Sequence, residues 1–326
     1  MIRLSARFAS FAALVLISVP TFNAFGQQQV PPAPAEEPSA PAPTGKPVFP
    51  APDPANFTAT SPTKETVNSF LHASWGFDDT RAWQVQAILK TPVEGLSKVI
   101  ILVTDKTGKP QPIGFFALAD GKHIIAGDDI VAFGANPYAD NRAQLTQRAD
   151  GPYTGSAMKD LEIVEFADFQ CPHCKEAQPN MDKLAVDFPK ARIVFENYPL
   201  PQHPAAAGAA AHGVCVAKEG GSNAFFTFAS AVFEGQDGLA TPDGATLTLN
   251  SAVTKAGLDP AKVSACAELS ATKAAVDASV KLAKDLDINQ TPTLVVNGRM
   301  VSANAPYETL KQIIEYQAKL DGVATK

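Results

Sequence analysis

Two cysteines separated by two residues, Cys171-Pro172-His173-Cys174, are the part of this sequence best placed to do chemistry. They follow the apolar run Leu161-Glu162-Ile163-Val164-Glu165-Phe166 and precede a helical repeat, the strand-to-helix context that gives a CxxC pair redox meaning. The amino end of a helix presents free N–H groups and a partial positive charge, so a thiolate at Cys171 is favoured over the thiol. His173 can add a hydrogen bond or a positive charge to the same sulfur. A thiol pKa lowered into the range of about 3.5 to 7.5 makes Cys171 a good leaving group and its disulfide an oxidising one. Cys174, one turn into the helix, is the more buried partner. Other chemistries fit less well. Structural zinc needs a second ligand pair, and the sequence has no further CxxC or His pair at ligand spacing. A purely structural disulfide closing so short a loop would remove little chain entropy.

The elements that must position this pair are legible around it. Ala177, Met181, Leu184, Ala185 and Phe188 fall on one face of a helix that begins at the cysteines. Residues 192–198 read as the next strand. Residues 203–286 are Ala-rich with helical spacing, for instance at Val276, Val280 and Ala283, and form a long helical block. Residues 293–296 make a strand, Asn297-Gly298 a tight turn, and Tyr307, Leu310, Ile314 and Leu320 a closing helix. The order strand, helix, strand, helical block, strand, turn, strand, helix is an α/β arrangement with a large helical insertion.

Upstream the pattern differs. Ser61 can cap a short helix through Val67, Phe70 and Leu71, and residues 83–89, 99–104 and 113–118 are strand-like. Asp105-Lys106-Thr107-Gly108-Lys109 is a turn between the last two, and Asp120-Gly121 opens a further run, Lys122-His123-Ile124-Ile125, closed by Gly127. Residues 62–140 thus read as a small α+β unit without cysteine, contributing architecture rather than chemistry. From Asp140 to Ser156 the chain turns polar and Gly-rich, which puts a domain boundary near residue 150.

The first 26 residues have the form of a cleavable export signal. Arg3 and Arg7 precede an apolar run of 12 residues from Phe8 to Val19, and Ala24-Phe25-Gly26 supplies the small residues before Gln27. The run is short of the roughly 20 residues that cross a bilayer. Removing the segment takes away two arginines and no acid, moving the net charge from −6 to −8. That charge offers no footprint for nucleic acid. Residues 27–60 carry proline after proline, from Pro31 and Pro32 to Pro52 and Pro54, the composition of a semi-rigid, disordered tether. With 326 residues, 45% of them hydrophobic, the rest of the chain is ample for two folded domains, 61–150 and 151–326.

The stretch Ile163-Val164-Glu165-Phe166-Ala167-Asp168-Phe169-Gln170-Cys171-Pro172-His173-Cys174, with Thr291-Pro292-Thr293 downstream, resembles the DsbA-like branch of the thioredoxin superfamily over about residues 155–322. The resemblance implies a thioredoxin-like fold, a nucleophilic Cys171 and a resolving Cys174. It implies a cis Pro292 packed against the site, with Thr291 offering its backbone to a bound peptide. Glu165 matches the buried acid beneath the cysteine pair that assists proton transfer. Asp168 reads as a loop residue and His203 as a packing residue. If Cys171 pairs with Cys174, one pairing remains, Cys215 with Cys266, and a bond across that loop would be worth roughly 4 kcal/mol; two free buried thiols are the alternative. The run Ala119-Asp120-Gly121-Lys122-His123-Ile124-Ile125-Ala126-Gly127 is similar to the cystatin-like dimerisation domain of the DsbC and DsbG isomerases, which implies a homo-oligomer.

The expected function is that of an exported, periplasmic thiol–disulfide oxidoreductase or isomerase. Its partners would be unfolded or misfolded exported proteins and a membrane redox protein, and it would need no cofactor, metal or nucleic acid. The Pro172-His173 dipeptide departs from the isomerase pattern, so the direction of reaction stays open. A dimeric holdase chaperone with secondary redox activity is the alternative, and metal binding through Cys171, His173 and Cys174 is a third reading.

Overall fold

The computed structural model describes residues 49–104 and 109–325. The stretch that reads as an export signal, most of the proline-rich tether and the greater part of the turn at residues 105–109 lie outside the described residues. Two five-stranded sheets organise the chain.

The first is an antiparallel meander of β1 (Ala82–Lys90), β2 (Leu96–Thr104), β3 (Gln111–Leu118), β4 (His123–Ala126) and β5 (Asp129–Ala132). Helix α1 (Lys64–Trp75) lies against it, burying Val67, Phe70 and Leu71 among Val85, Ile88, Val99, Ile101 and Phe115. Thr63, not Ser61, caps α1. Its side chain accepts from the Thr66 N–H, as only the residue next to the first helical turn can, whereas the Ser61 carbonyl is taken by the Ser97 hydroxyl. Strand β5 has no counterpart in the sequence reading. Its four residues form an edge whose Ile130 and Val131 side chains face solvent, so it carries no in–out alternation.

The second sheet has the order β10–β9–β7–β8–β6: β6 (Tyr153–Gly155), β7 (Glu162–Ala167), β8 (Arg192–Asn197), β9 (Thr293–Val296) and β10 (Arg299–Ser302). β7 and β8 run parallel, and the other pairings are antiparallel. β7 reads as a continuous run because helices cover both its faces. On one side Ile163 packs with Ala177, Met181 and Leu184 of α3 (Pro172–Asp187) and with Leu310 and Ile314 of α8 (Tyr307–Leu320). On the other, Val164 and Phe166 pack with Leu145 of α2 (Ala139–Arg148) and with Leu282 and Ala283 of α7 (Ser270–Asp285). α2 and β6 occupy the stretch that reads as a polar linker. α2 buries only Leu145 within its bounds and β6 is three residues long, so neither leaves a periodic signal.

Between β8 and β9 the chain makes α4 (Ala206–Glu234), α5 (Pro242–Lys255), α6 (Pro260–Ala267) and α7. Phe225, Phe228, Val232 and Phe233 of α4 close over Phe169 and Phe195 at the carboxyl ends of β7 and β8. The insertion thus roofs the strand end from which Cys171 emerges.

Side chains of the second sheet's module cap α1. The buried Arg299 guanidinium donates to the carbonyls of Ala73 and Ser74, and the Tyr316 hydroxyl donates to His72 O at 2.7 Å. The last carbonyls of a helix lack intrahelical donors, and Arg299 supplies those of Ala73 and Ser74, while His72 O accepts from the Gly76 N–H as well as from Tyr316. The β9–β10 turn is formed by Asn297 and Gly298, both at positive φ. A Cβ at Gly298 would run into the Tyr138 carbonyl at the head of α2.

Candidate active site

β7 ends at Ala167, and four residues later Cys171 stands as the N-cap of α3 with Pro172 in its first turn. Proline is at home there because that amide has no helical acceptor. The tight approach is closed by the backbone. Cys171 N–H donates to Asp168 O at 3.0 Å, and the amides of Cys174 and Lys175 donate to Cys171 O at 3.1 and 3.3 Å. Both thiols are free, with Cys171 only 4% exposed and Cys174 fully buried.

The two sulfurs are driven apart in acidity. The Cys171 thiol is lowered to about 5, first by the hydrogen bond from Cys174, against the cost of burial. The backbone N–H groups of Cys174 and His173 at the helix start add to the lowering. Thr291 acts in two senses. Its carbonyl, 3.6 Å from Cys171 Sγ, can only accept from the thiol, and its side chain adds to the lowering although its buried hydroxyl makes no hydrogen bond of its own. Burial pushes the Cys174 thiol far up, and the hydrogen bond it gives to Cys171 adds to this. One cysteine is thereby a thiolate at neutral pH and the other a proton-holding partner.

His173 keeps an electrostatic link to Cys171, whose charge helps raise the His173 pKa, but its ring makes no hydrogen bond to the sulfur. Its imidazole turns outward to Glu176, with Nδ1 2.9 Å from Oε2, and that contact raises its pKa. Cys171 receives the His173 backbone N–H instead of the ring. The ring follows Glu176 because the two lie on one exposed helical face, three residues apart.

Glu165 is buried in the middle of β7 and directed to the α3 side. Its Oε1 accepts from Gln178 Nε2 at 3.2 Å, and the same amide donates to the Cys174 carbonyl at 3.0 Å. Burial raises the carboxyl to about 7, partly offset by Gln178. The Thr291–Pro292 peptide bond is cis. Cys215 and Cys266 are bonded to each other and tie α4 to α6, away from the CxxC loop in sequence but within the apolar cluster that covers it. Among the described residues no group of three or more His, Cys, Asp or Glu side chains is placed to hold a metal ion.

Three polar residues hold the CxxC loop that sequence reasoning did not assign to the site. Asp168 is no plain loop residue: its carboxylate is fully buried and accepts from Gln170 N–H, Leu200 N–H and His203 Nδ1, while its own N–H points at Cys174 Sγ from 3.4 Å. Gln170 binds Leu239 O and Ala205 N–H. Gln236 donates to the carbonyls of both Phe169 and Cys171 at 2.9 Å. The one signal that could have found them is the polar residue between Ala167 and Phe169, since a carboxylate inside an apolar stretch is costly without built partners.

Comparison with known proteins places this geometry. The protein is similar to the Na(+)/H(+) antiporter NhaA 1 of Mycolicibacterium vanbaalenii, 27% identical over 203 residues that make up 61% of this chain and 28% of the antiporter. The chain therefore spans less than a third of that relative's length, and no described helix is long and apolar enough to cross a membrane. It is 26% identical over 169 residues to a Bacillus cereus protein named "Probable disulfide bond formation protein D", covering 49% of this chain and 74% of that one. A solved thioredoxin-like oxidoreductase from Silicibacter pomeroyi aligns with a TM-score of 0.46 and 23% identity, over 55% of this chain and 98% of the other. The family model described as thioredoxin matches residues 147–316, more than half of the sequence and all of the CxxC site, and the chain belongs to the thioredoxin family.

Proposed function

We propose that the protein is an exported thiol–disulfide oxidoreductase that acts on client proteins through Cys171 and Cys174. The observation that carries this reading is the opposed acidity of the pair, with Cys171 near 5 and Cys174 held protonated beside it. The Cys171 thiolate attacks a client disulfide, forming a mixed disulfide and releasing one client thiolate. Cys174 then loses its proton and attacks Cys171 Sγ, which releases the second client thiolate and closes the Cys171–Cys174 bond. The client gains two electrons and the pair loses two. The reverse sequence oxidises a client dithiol, and attack followed by release without Cys174 shuffles disulfides. A thiolate near pKa 5 is a good leaving group, which favours disulfide donation. As acceptor of the Cys174 proton we propose Glu165, a reading supported by its carboxyl near 7 and by the Gln178 amide that it shares with the Cys174 carbonyl.

The helix-on-meander module before the CxxC domain supports a cystatin-like, dimerising role for residues 61–150, and the amino-terminal basic and apolar pattern supports export to the periplasm. A membrane redox partner would then reset the pair. A holdase role has its own support in Phe116, Ile130 and Val131, apolar side chains exposed on the meander.

The test is equilibration with glutathione buffers, followed by the fraction of reduced Cys171–Cys174. A single midpoint above that of thioredoxin, abolished in Cys171→Ser, supports disulfide donation, and a midpoint near thioredoxin's makes the protein a reductant. Failure of the wild-type pair to exchange, with aggregation suppression intact in Cys171→Ser, favours the holdase.

A further inference from the structure

Asp168 touches both cysteines through its backbone and neither through its side chain. Its carbonyl accepts the Cys171 N–H at 3.0 Å, and its N–H is directed at Cys174 Sγ from 3.4 Å. The orientation of that peptide is set by the carboxylate. Oδ1 takes the Gln170 N–H at 2.7 Å, and Oδ2 takes the Leu200 N–H at 2.8 Å and His203 Nδ1 at 2.7 Å. With Oδ1 and Oδ2 each already taking a backbone N–H, the arrangement in which the carboxylate accepts throughout is the one with His203 in its Nδ1–H tautomer. Three donors from two chain segments thus fix one buried side chain, and the segment after β8 is locked to the CxxC loop.

We propose that Asp168 and His203 form a positioning couple for the resolving sulfur, aiming the Asp168 N–H at the charge that develops on Cys174. The two half-reactions use different donors. When Cys171 attacks, its charge is already held by Cys174 and by the His173 and Cys174 amides. When Cys174 attacks, the proton leaves its sulfur, and the Asp168 amide is the backbone donor facing that atom. A donor that counts only as charge appears lowers the barrier of that step. The couple therefore speeds resolution and leaves the first attack alone. This rests on the oxidoreductase reading, and the test separates the two.

Reduced protein is mixed with 5,5′-dithiobis(2-nitrobenzoate). In the first step Cys171 thiolate attacks the reagent disulfide, forms a Cys171–thionitrobenzoate bond and expels one thionitrobenzoate. In the second, Cys174 gives up its proton, to Glu165 in the reading above and from there to the medium, and attacks Cys171 Sγ, expelling the second thionitrobenzoate; the reagent has gained the two electrons lost by the pair. His203→Ala removes a donor from a partly exposed position, and His203→Asn places an amide N–H near the Nδ1 position. We expect the first release to stay within about twofold of wild type in both variants. The second should slow about tenfold in His203→Ala, the loss of one aligned donor to a thiolate, and recover in His203→Asn. Unchanged second release, equal slowing of both steps, or no recovery in His203→Asn would overturn the proposal. Absence of two-step release in the wild type would instead overturn the oxidoreductase reading.

Discussion

Replacing Cys174 with alanine removes the largest single contribution to the acidity of Cys171. In the protein Cys171 is lowered to about 5, and the hydrogen bond from Cys174 is the foremost cause, ahead of Thr291 and the helix-start amides. A hydrogen bond to a charged group is worth about 1.5–3 kcal/mol. At about 1.4 kcal/mol per pKa unit, its loss raises Cys171 by about one to two units, to about 6 or 7. The remaining backbone N–H groups of residues 173 and 174 at the helix start keep it below an ordinary thiol. The measurement is the rate of iodoacetamide alkylation of Cys174→Ala against pH, set beside the reduced wild type; Cys215 and Cys266 are bonded and silent. Cys171→Ala serves as a blank, since its buried Cys174 stays protonated across the range. A midpoint in Cys174→Ala equal to or below that of wild type would refute the reasoning and assign the acidity to the helix start alone.

Three further outcomes are expected. Cys171 is an acid depressed on folding, so it stabilises the reduced form above the unfolded thiol value of about 8.5 and loses that stabilisation as pH falls through about 5; the stability of reduced over oxidised protein should drop by about 2 kcal/mol between pH 7 and pH 5 in urea titrations, and a flat difference would contradict it. Glu165 is an acid raised on folding to about 7, so it costs stability progressively as pH climbs from about 4.3 to 7; Glu165→Gln should gain about 3 kcal/mol over wild type at pH 8 and little at pH 4, while slowing the Cys174 step above pH 7. The Cys215→Ala/Cys266→Ala double variant should lose about 4 kcal/mol on denaturant unfolding and keep the exchange midpoint of Cys171–Cys174, and a shifted midpoint would tie the second disulfide to the redox step.

Much of the domain around the CxxC pair is legible because its signals are local. β7 and β8 each bury every residue, and α3 and α8 show their apolar faces in spacing, so strands and helices can be read a few residues at a time. Where burial is slight or the element short, as at α2, β5 and β6, the pattern vanishes and only long-range pairing makes the structure.

Residue spacing and composition are enough to show that a CxxC pair sits between a buried strand and the start of a helix. That follows from composition and periodicity within one short window, and with it comes the identity of the acidic sulfur, since a helix has only one positive end. The groups that surround the sulfurs are set by contacts far apart in the chain. Thr291 reaches Cys171 across 120 residues, Gln236 reaches its carbonyl across 65, and His203 grips Asp168 across 35. The imidazole of His173 turns to Glu176 because both stand on the solvent side of α3. Hydrogen-bond partners brought together by chain closure leave no trace in local spacing, whereas the burial that forces a carboxylate to find them does, as the lone Asp168 between Ala167 and Phe169 illustrates.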